Sequence, residues 1–228
     1  MTKLSSAYSK TPHSLSPPRW LWYLLACAAL IFSVLLAVLF LGGYTTRVPE
    51  GLQPVTGFDV SRYMGKWYEI ARLDHSFERG LQNVTAEYTA GPDGKILVLN
   101  RGYDAATRHW EETEGKAQFV GDPKLGSLKV SFFGPFYGGY HVIALDRDYR
   151  YAMLTGPSRK YLWILARENT LPEDITQGLL HQAKIWGFDT DKVLRVNHTP
   201  PEAQAIPTPA SAKIKGNAAS PPAPVPGQ

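Results

Sequence analysis

From Lys66 to Arg167 the chain repeats one local pattern eight times: a short run in which apolar and polar side chains alternate, closed by a turn signal. Asn83 to Ala90 is the cleanest, with Val84, Ala86, Tyr88 and Ala90 on one face and polar residues on the other. Gly91-Pro92-Asp93-Gly94 then turns the chain, and Lys95 to Tyr103 returns. Across Arg108 to Val120, Thr113, Gly115, Ala117 and Phe119 oppose Glu112, Glu114, Lys116 and Gln118. After Gly121-Asp122-Pro123 come Leu128 to Phe133, Tyr140 to Asp146, Tyr151 to Leu154 and Tyr161 to Arg167, completing the series that Lys66 to Leu73 opens. Eight short strands at close spacing predict an all-β domain, either an antiparallel up-and-down barrel or a sandwich.

One helix is predicted after the strands. Thr170 and Glu173 have capping-box spacing, and Pro172 is tolerated in a first turn. Ile175, Leu179, Ala183 and Trp186 recur at helical spacing, and Gly187 is placed to end the helix. A lone amphipathic helix after eight strands has to lay its apolar stripe on the outside of the sheet. A short last strand is expected over Lys192 to Val196.

The charge of +4 over 228 residues misleads, because it sits at the ends. Residues 1–19 carry Lys3, Lys10 and Arg19 with no acid, a charge of +3, and residues 199–228 carry Lys213 and Lys215 against Glu202, +1. The remaining 19 basic and 19 acidic side chains cancel, so the domain offers no field for phosphates and no nucleic-acid partner is expected. The only cysteine, Cys27, lies upstream of the strands, which excludes a disulfide, a thiol nucleophile or a cysteine metal site in the domain.

Trp20 to Gly43 runs ~24 residues without a charge, roughly 36 Å as a helix against about 30 Å of hydrocarbon. Trp20, Trp22 and Tyr23 stand at one end and Tyr44 at the other, and basic residues precede the run. The expectation is a retained signal anchor over 20–43, with the N-terminus cytoplasmic and the domain facing the periplasm. A lipoprotein signal ending at Leu24-Leu25-Ala26-Cys27, with Cys27 lipidated and an outer-membrane location, is the alternative. Cleavage near Gly43 is disfavoured by Leu41 three residues before the cut. The expected organisation is a disordered tail over 1–19, the anchor over 20–43, a linker over 44–57, the domain over 58–198 and a disordered Pro/Ala-rich tail over 199–228.

Particular motifs in the domain resemble the lipocalin family. Gly65-x-Trp67 is similar to the first lipocalin motif, Asp146 with Tyr149 to the second, and Arg167 to the third. Trp67-Tyr68-Glu69-Ile70-Ala71-Arg72, Phe77-Glu78-Arg79-Gly80 and Lys129 to Tyr140 resemble the bacterial Blc group in particular, and apolipoprotein D more distantly. The resemblance spans roughly residues 57–197. It implies an eight-stranded lipocalin barrel with one C-terminal helix packed outside, Arg167 lying over the Trp67 ring at a closed floor, and Gly65, Trp67, Asp146, Tyr149 and Arg167 serving the fold. Blc-type proteins carry a short signal ending at a lipidated cysteine, and the long apolar run here departs from that.

Such a barrel is wide enough for one elongated ligand. Burying a C16–C18 chain contributes about 0.8 kcal/mol per CH₂, roughly 13 kcal/mol gross before association costs. The alternation proposes Ala86, Tyr88, Val98, Phe119, Val130, Phe132, Tyr140 and Val142 as inward, ligand-facing residues, although a one-residue slip inverts any strand. In the loop Asp74 to Gly80, which resembles the family's mouth loop, Arg79 or His75 could meet a carboxylate or phosphate. Phe133, Phe136 and Tyr137 form an apolar rim that suits a membrane, a second subunit in a homodimer, or packing within the loop. The six histidines are scattered, with no metal spacing; His109 and His141 fall in strands and are read as outward-facing or satisfied residues rather than catalytic ones. The expectation is a non-enzymatic, cofactor-free carrier or store of fatty acid or lysophospholipid in the cell envelope. A filled, purely structural barrel is the alternative, and a lipocalin-type isomerase a more remote one.

Overall fold

A computed structural model describes residues 23–24, 26–33 and 46–201. The expected span over 20–43 falls largely outside them; 23–24 and 26–33 are helical and exposed, as is Cys27. Among the described residues no helix is long and apolar enough to cross a membrane. The tail expected over 1–19 lies outside them, as do residues 202–228 of the tail expected over 199–228.

A four-residue helix, α1 (Val60–Tyr63), precedes β1 (Gly65–Leu73), β2 (Leu81–Ala90), β3 (Ile96–Asp104), β4 (His109–Phe119), β5 (Ser127–Ser131), β6 (Gly138–Leu145), β7 (Tyr151–Thr155) and β8 (Leu162–Ala166). Helix α2 (Glu173–Ile185) and the short β9 (Val193–Arg195) follow. Every neighbouring pair is antiparallel, and β1 pairs with both β8 and β2, which closes an eight-stranded ring. Closure removes the open edges that a sandwich would leave. The β1–β2 ladder stops at Tyr68↔Thr85, and β9 takes the vacated side of β1 at Ala71 to Leu73.

Two apolar clusters follow from strand pleating, one on each face of the wall. The inner cluster contains Trp67, Tyr88, Val98, Leu128, Val142, Leu154 and Leu165; the outer holds Ile143, Met153, Leu162, Ile164 and Ala166 beneath α2. This explains why Tyr161 to Arg167 reads as an almost continuous apolar run: β8 is covered on both faces. By contrast β4 has one wet face, where Glu112, Glu114 and Lys116 are exposed.

Two expectations need correction. Thr170 caps nothing: the helix begins at Glu173 with Pro172 as N-cap and no side-chain cap bond. Pro172, with ψ 139, already turns the chain into the helix, and its carbonyl accepts from both Thr176 N (3.0 Å) and Thr176 Oγ1 (3.0 Å). Glu173 instead bonds Gln177 and Arg195. The C-terminus is as expected, because Gly187 (φ +83°) allows Gly187 N to reach Lys184 O and Phe188 N to reach Ala183 O. Nor is the described part of the 44–57 segment a free linker. Leu52 is buried in the outer cluster, Arg159 donates to Glu50 O at 2.6 Å, and Val55 N donates to Val142 O at 2.8 Å. The apolar residues Val48, Leu52 and Val55 give the segment enough side chain to pack against the wall.

Candidate functional site: the barrel lumen

The floor is built around Trp67, which β1 turns inward and which is fully buried. Its Nε1 donates to Tyr63 O at 2.8 Å, fixing α1 beneath the barrel. Arg167 Cζ stands 3.9 Å from the Trp67 ring centroid, and its guanidinium donates to the carbonyls of Lys66 (2.9 Å), Arg62 (2.7 Å) and Tyr149 (3.3 Å). Gly65 adopts φ +89°, where a Cβ would lie 3.6 Å from Arg167 Nη1. Tyr149, at φ +60°, accepts a 2.8 Å bond from Asp59 N, and Asp146 grips the turn through Asp148 N and Arg150. Those bonds, the Arg150 side chain first, hold the Asp146 carboxyl below its ordinary range.

Above the floor, the eight alternation-derived residues meet. Ala86, Tyr88, Val98, Phe119, Val130, Phe132, Tyr140 and Val142 all belong to the inner cluster, contributed by β2 to β6 and the start of the β5–β6 loop. Of the three small residues on the same presumed face, Gly115 and Ala117 are buried but Thr113 is exposed. The Phe132 ring fills the space over Gly115, where a Cβ would come within 2.7 Å of it.

Polar groups interrupt this apolar wall at two levels. Tyr140 hydroxyl lies 2.7 Å from that of Tyr63 and 2.8 Å from that of Tyr88. Three hydroxyls joined by two bonds leave one proton for donation. Burial pushes all three phenols up, so they remain protonated at ordinary pH.

Nearer the mouth is a charged group that alternation did not reveal. Arg72 donates to Glu69 Oε1 (2.7 Å), Glu78 O (2.8 Å) and Leu81 O (3.2 Å), and its Nε lies 3.7 Å from Glu78 Oε2. Trp163 Nε1 donates to the Glu78 carboxylate at 3.0 Å. Glu69 and Arg72 are 5% and 3% exposed, so one cation serves two carboxyls in a dry setting. Burial first, and then the Glu78 charge, push Glu69 up to about 8 against the pull of Arg72. Burial raises Glu78 too.

The mouth-loop candidates stand apart from the lumen. Arg79 is exposed and paired with Asp74 at 2.7 Å. His75 stacks on Phe77 (5.3 Å) and Tyr161 (4.4 Å), and burial holds its pKa down, which suits a neutral aromatic more than an anion partner. His141 is buried on the outer face with Nδ1 3.0 Å from Ser127 Oγ, and His109 is exposed beside Thr107 O.

A closed eight-stranded antiparallel barrel with an apolar lumen, an Arg-on-Trp floor and one outer helix defines a lipocalin. The chain belongs to that family: the family model described as a lipocalin-like domain matches residues 58–198. Among curated relatives, the outer membrane lipoprotein Blc of Citrobacter freundii is 55% identical over 148 residues, 65% of this chain and 84% of the relative. That of Vibrio cholerae serotype O1 is 51% identical over 167 residues, 73% of this chain and 96% of the relative. Insecticyanin from Manduca sexta shares the fold, with TM-score 0.55 and 22% identity over 67% of this chain and 87% of its own.

Proposed function

We propose that this lipocalin is a non-catalytic carrier or store of a single-chain lipid, held with its acyl chain in the lumen. The observation that carries the reading is the convergence of eight apolar or aromatic positions from β2 to β6 on one inner cluster above a sealed floor. Between the two lipid classes expected, the charged trio favours lysophospholipid over fatty acid. With Glu69 holding its proton up to about pH 8, a fatty-acid carboxylate would be a second negative group beside Glu78 competing for one guanidinium, whereas a zwitterionic headgroup brings its own cation for the Glu78 carboxylate. Phe132 and the tyrosine chain support a snug apolar tunnel rather than a wide cup.

The relatives' printed names as outer membrane lipoproteins favour attachment through a lipidated Cys27 over a retained span. The intact mass of membrane-extracted protein separates the two: a chain beginning at a lipidated Cys27 supports the lipoprotein reading, and an uncut N-terminus refutes it.

Native mass spectrometry of residues 46–201, purified without detergent, tests the cargo. Near one lysophospholipid per barrel is the expected result. A protein that is empty and also fails to take up a fluorescent lysophospholipid would mean a filled, structural barrel.

A further inference from the structure

Three phenylalanines stand out on the surface of the barrel: Phe77 is 62% exposed, Phe133 78% and Phe136 71%. Phe77 is on the β1–β2 loop, and the other two are on the β5–β6 loop. In an up-and-down ring these two loops are at the same end, four strands apart whichever way one counts, so they face each other across the mouth. The apolar tips therefore define a plane over the opening.

Charge distinguishes the same end. The mouth loops, residues 74–80, 105–108, 132–137 and 156–161, carry Arg79, Arg108, Arg159 and Lys160 against Asp74 and Glu78. Both acids are paired, with Arg79 and with Trp163 and Arg72. The floor loops, 91–95, 120–126 and 146–150, balance four cations, Lys95, Lys124, Arg147 and Arg150, with four acids, Asp93, Asp122, Asp146 and Asp148. The N-terminal segment also begins at the mouth end. Glu50 O is held by Arg159 of the β7–β8 loop, Val55 lies beside Val142, and Phe58 N reaches Lys124 O of a floor loop at 2.9 Å. The chain thus enters at the mouth and runs down to the floor.

We infer that the mouth docks flat on an anionic lipid bilayer, with Phe77 on one side and Phe133 and Phe136 on the other inserted at the headgroup level. Aromatic tips suit that interface, and the surplus cations of the rim match its charge. The tether upstream of residue 46 then leaves the barrel on the side that faces the membrane. The lumen opens onto the bilayer, and a lipid could pass between them without crossing water. The inference needs the membrane attachment of the proposed function but not its cargo.

The test uses the full chain, reconstituted through its N-terminal segment into vesicles of phosphatidylethanolamine and phosphatidylglycerol. p-Benzoylphenylalanine replaces Phe136 in one protein, Phe77 in a second, and Lys124 at the floor in a third. On irradiation, phospholipid adducts should form at 136 and 77 at least tenfold more often than at 124. Equal yields at the three positions overturn the inference, and so does crosslinking from 136 to a second copy of the chain in place of lipid. Adducts at 136 and 77 from a barrel that native mass spectrometry finds empty would support docking while refuting the carrier reading.

Discussion

The buried Glu69 makes stability depend on pH in an unusual direction. Its ordinary value is 4.5, and burial with the Glu78 charge takes it to about 8 in the folded chain. Between those values the folded protein holds a proton that the unfolded chain has lost, so fewer protons are bound on unfolding and stability falls as pH rises. At about 1.4 kcal/mol per pH unit, the loss from pH 5 to pH 7 is on the order of 3 kcal/mol. The Glu69→Gln variant keeps the shape and a hydrogen-bond acceptor for Arg72 but cannot ionise, and Glu78 retains the whole guanidinium. Urea unfolding of residues 46–201, followed by tryptophan fluorescence at pH 5, 6, 7 and 8, gives the comparison. The two proteins should be close in stability at pH 5, and the variant should gain on the wild type at each step up to pH 8. A difference that stays constant with pH, or grows in the wild type's favour, would show that Arg72 holds Glu69 ionised and would refute the electrostatic account.

Arg167→Ala removes the stacking on Trp67 and leaves three carbonyls without their donor; a loss of about 3 kcal/mol in the urea midpoint analysis is expected. At the two ends of α2 the outcomes should differ. Thr170→Ala should change thermal stability by less than about 0.5 kcal/mol, because no cap bond exists there, while Gly187→Ala, at φ +83°, should cost about 1 kcal/mol. Gly115→Leu drives a side chain into the space that Phe132 fills and should lower the lipid bound per barrel in native mass spectrometry without loss of β-sheet circular dichroism.

Alternation made the lumen legible wherever a strand has one wet face or a regular pleat. Val98, Gly115, Ala117 and Val130 lie on the inner side because the β3–β4 and β4–β5 ladders run without a register shift. Ends and neighbours were less visible. Ala90 continues the pattern of β2 but is exposed at the strand's last position, and Thr113 is exposed near the mouth, because alternation gives a face and not a depth. The packed segment from 46 to 57 was missed for a related reason: scattered apolar residues between prolines have no period, although Val48, Leu52 and Val55 were the available signal.

The charged trio shows what strict alternation hides. In β1, Glu69 and Arg72 are three apart, so a regular pleat would put them on opposite faces. The β1–β8 register shifts between Glu69 and Ala71, and this bulge inserts the extra residue that brings both side chains to the lumen. Ile70, Ala71 and Leu73 are thereby left to the outer cluster under α2. The same irregularity frees the carbonyls of Glu69 and Ile70 from the β2 ladder. They are taken up by His198 (2.8 Å) and Val196 N (3.0 Å), so the strap after α2 seals the seam that the bulge opens. An acid and a base offset by three within Trp67-Tyr68-Glu69-Ile70-Ala71-Arg72-Leu73 would each be costly on a buried face. Pairing across a bulge resolves that cost, and the offset was the sign of it in the sequence.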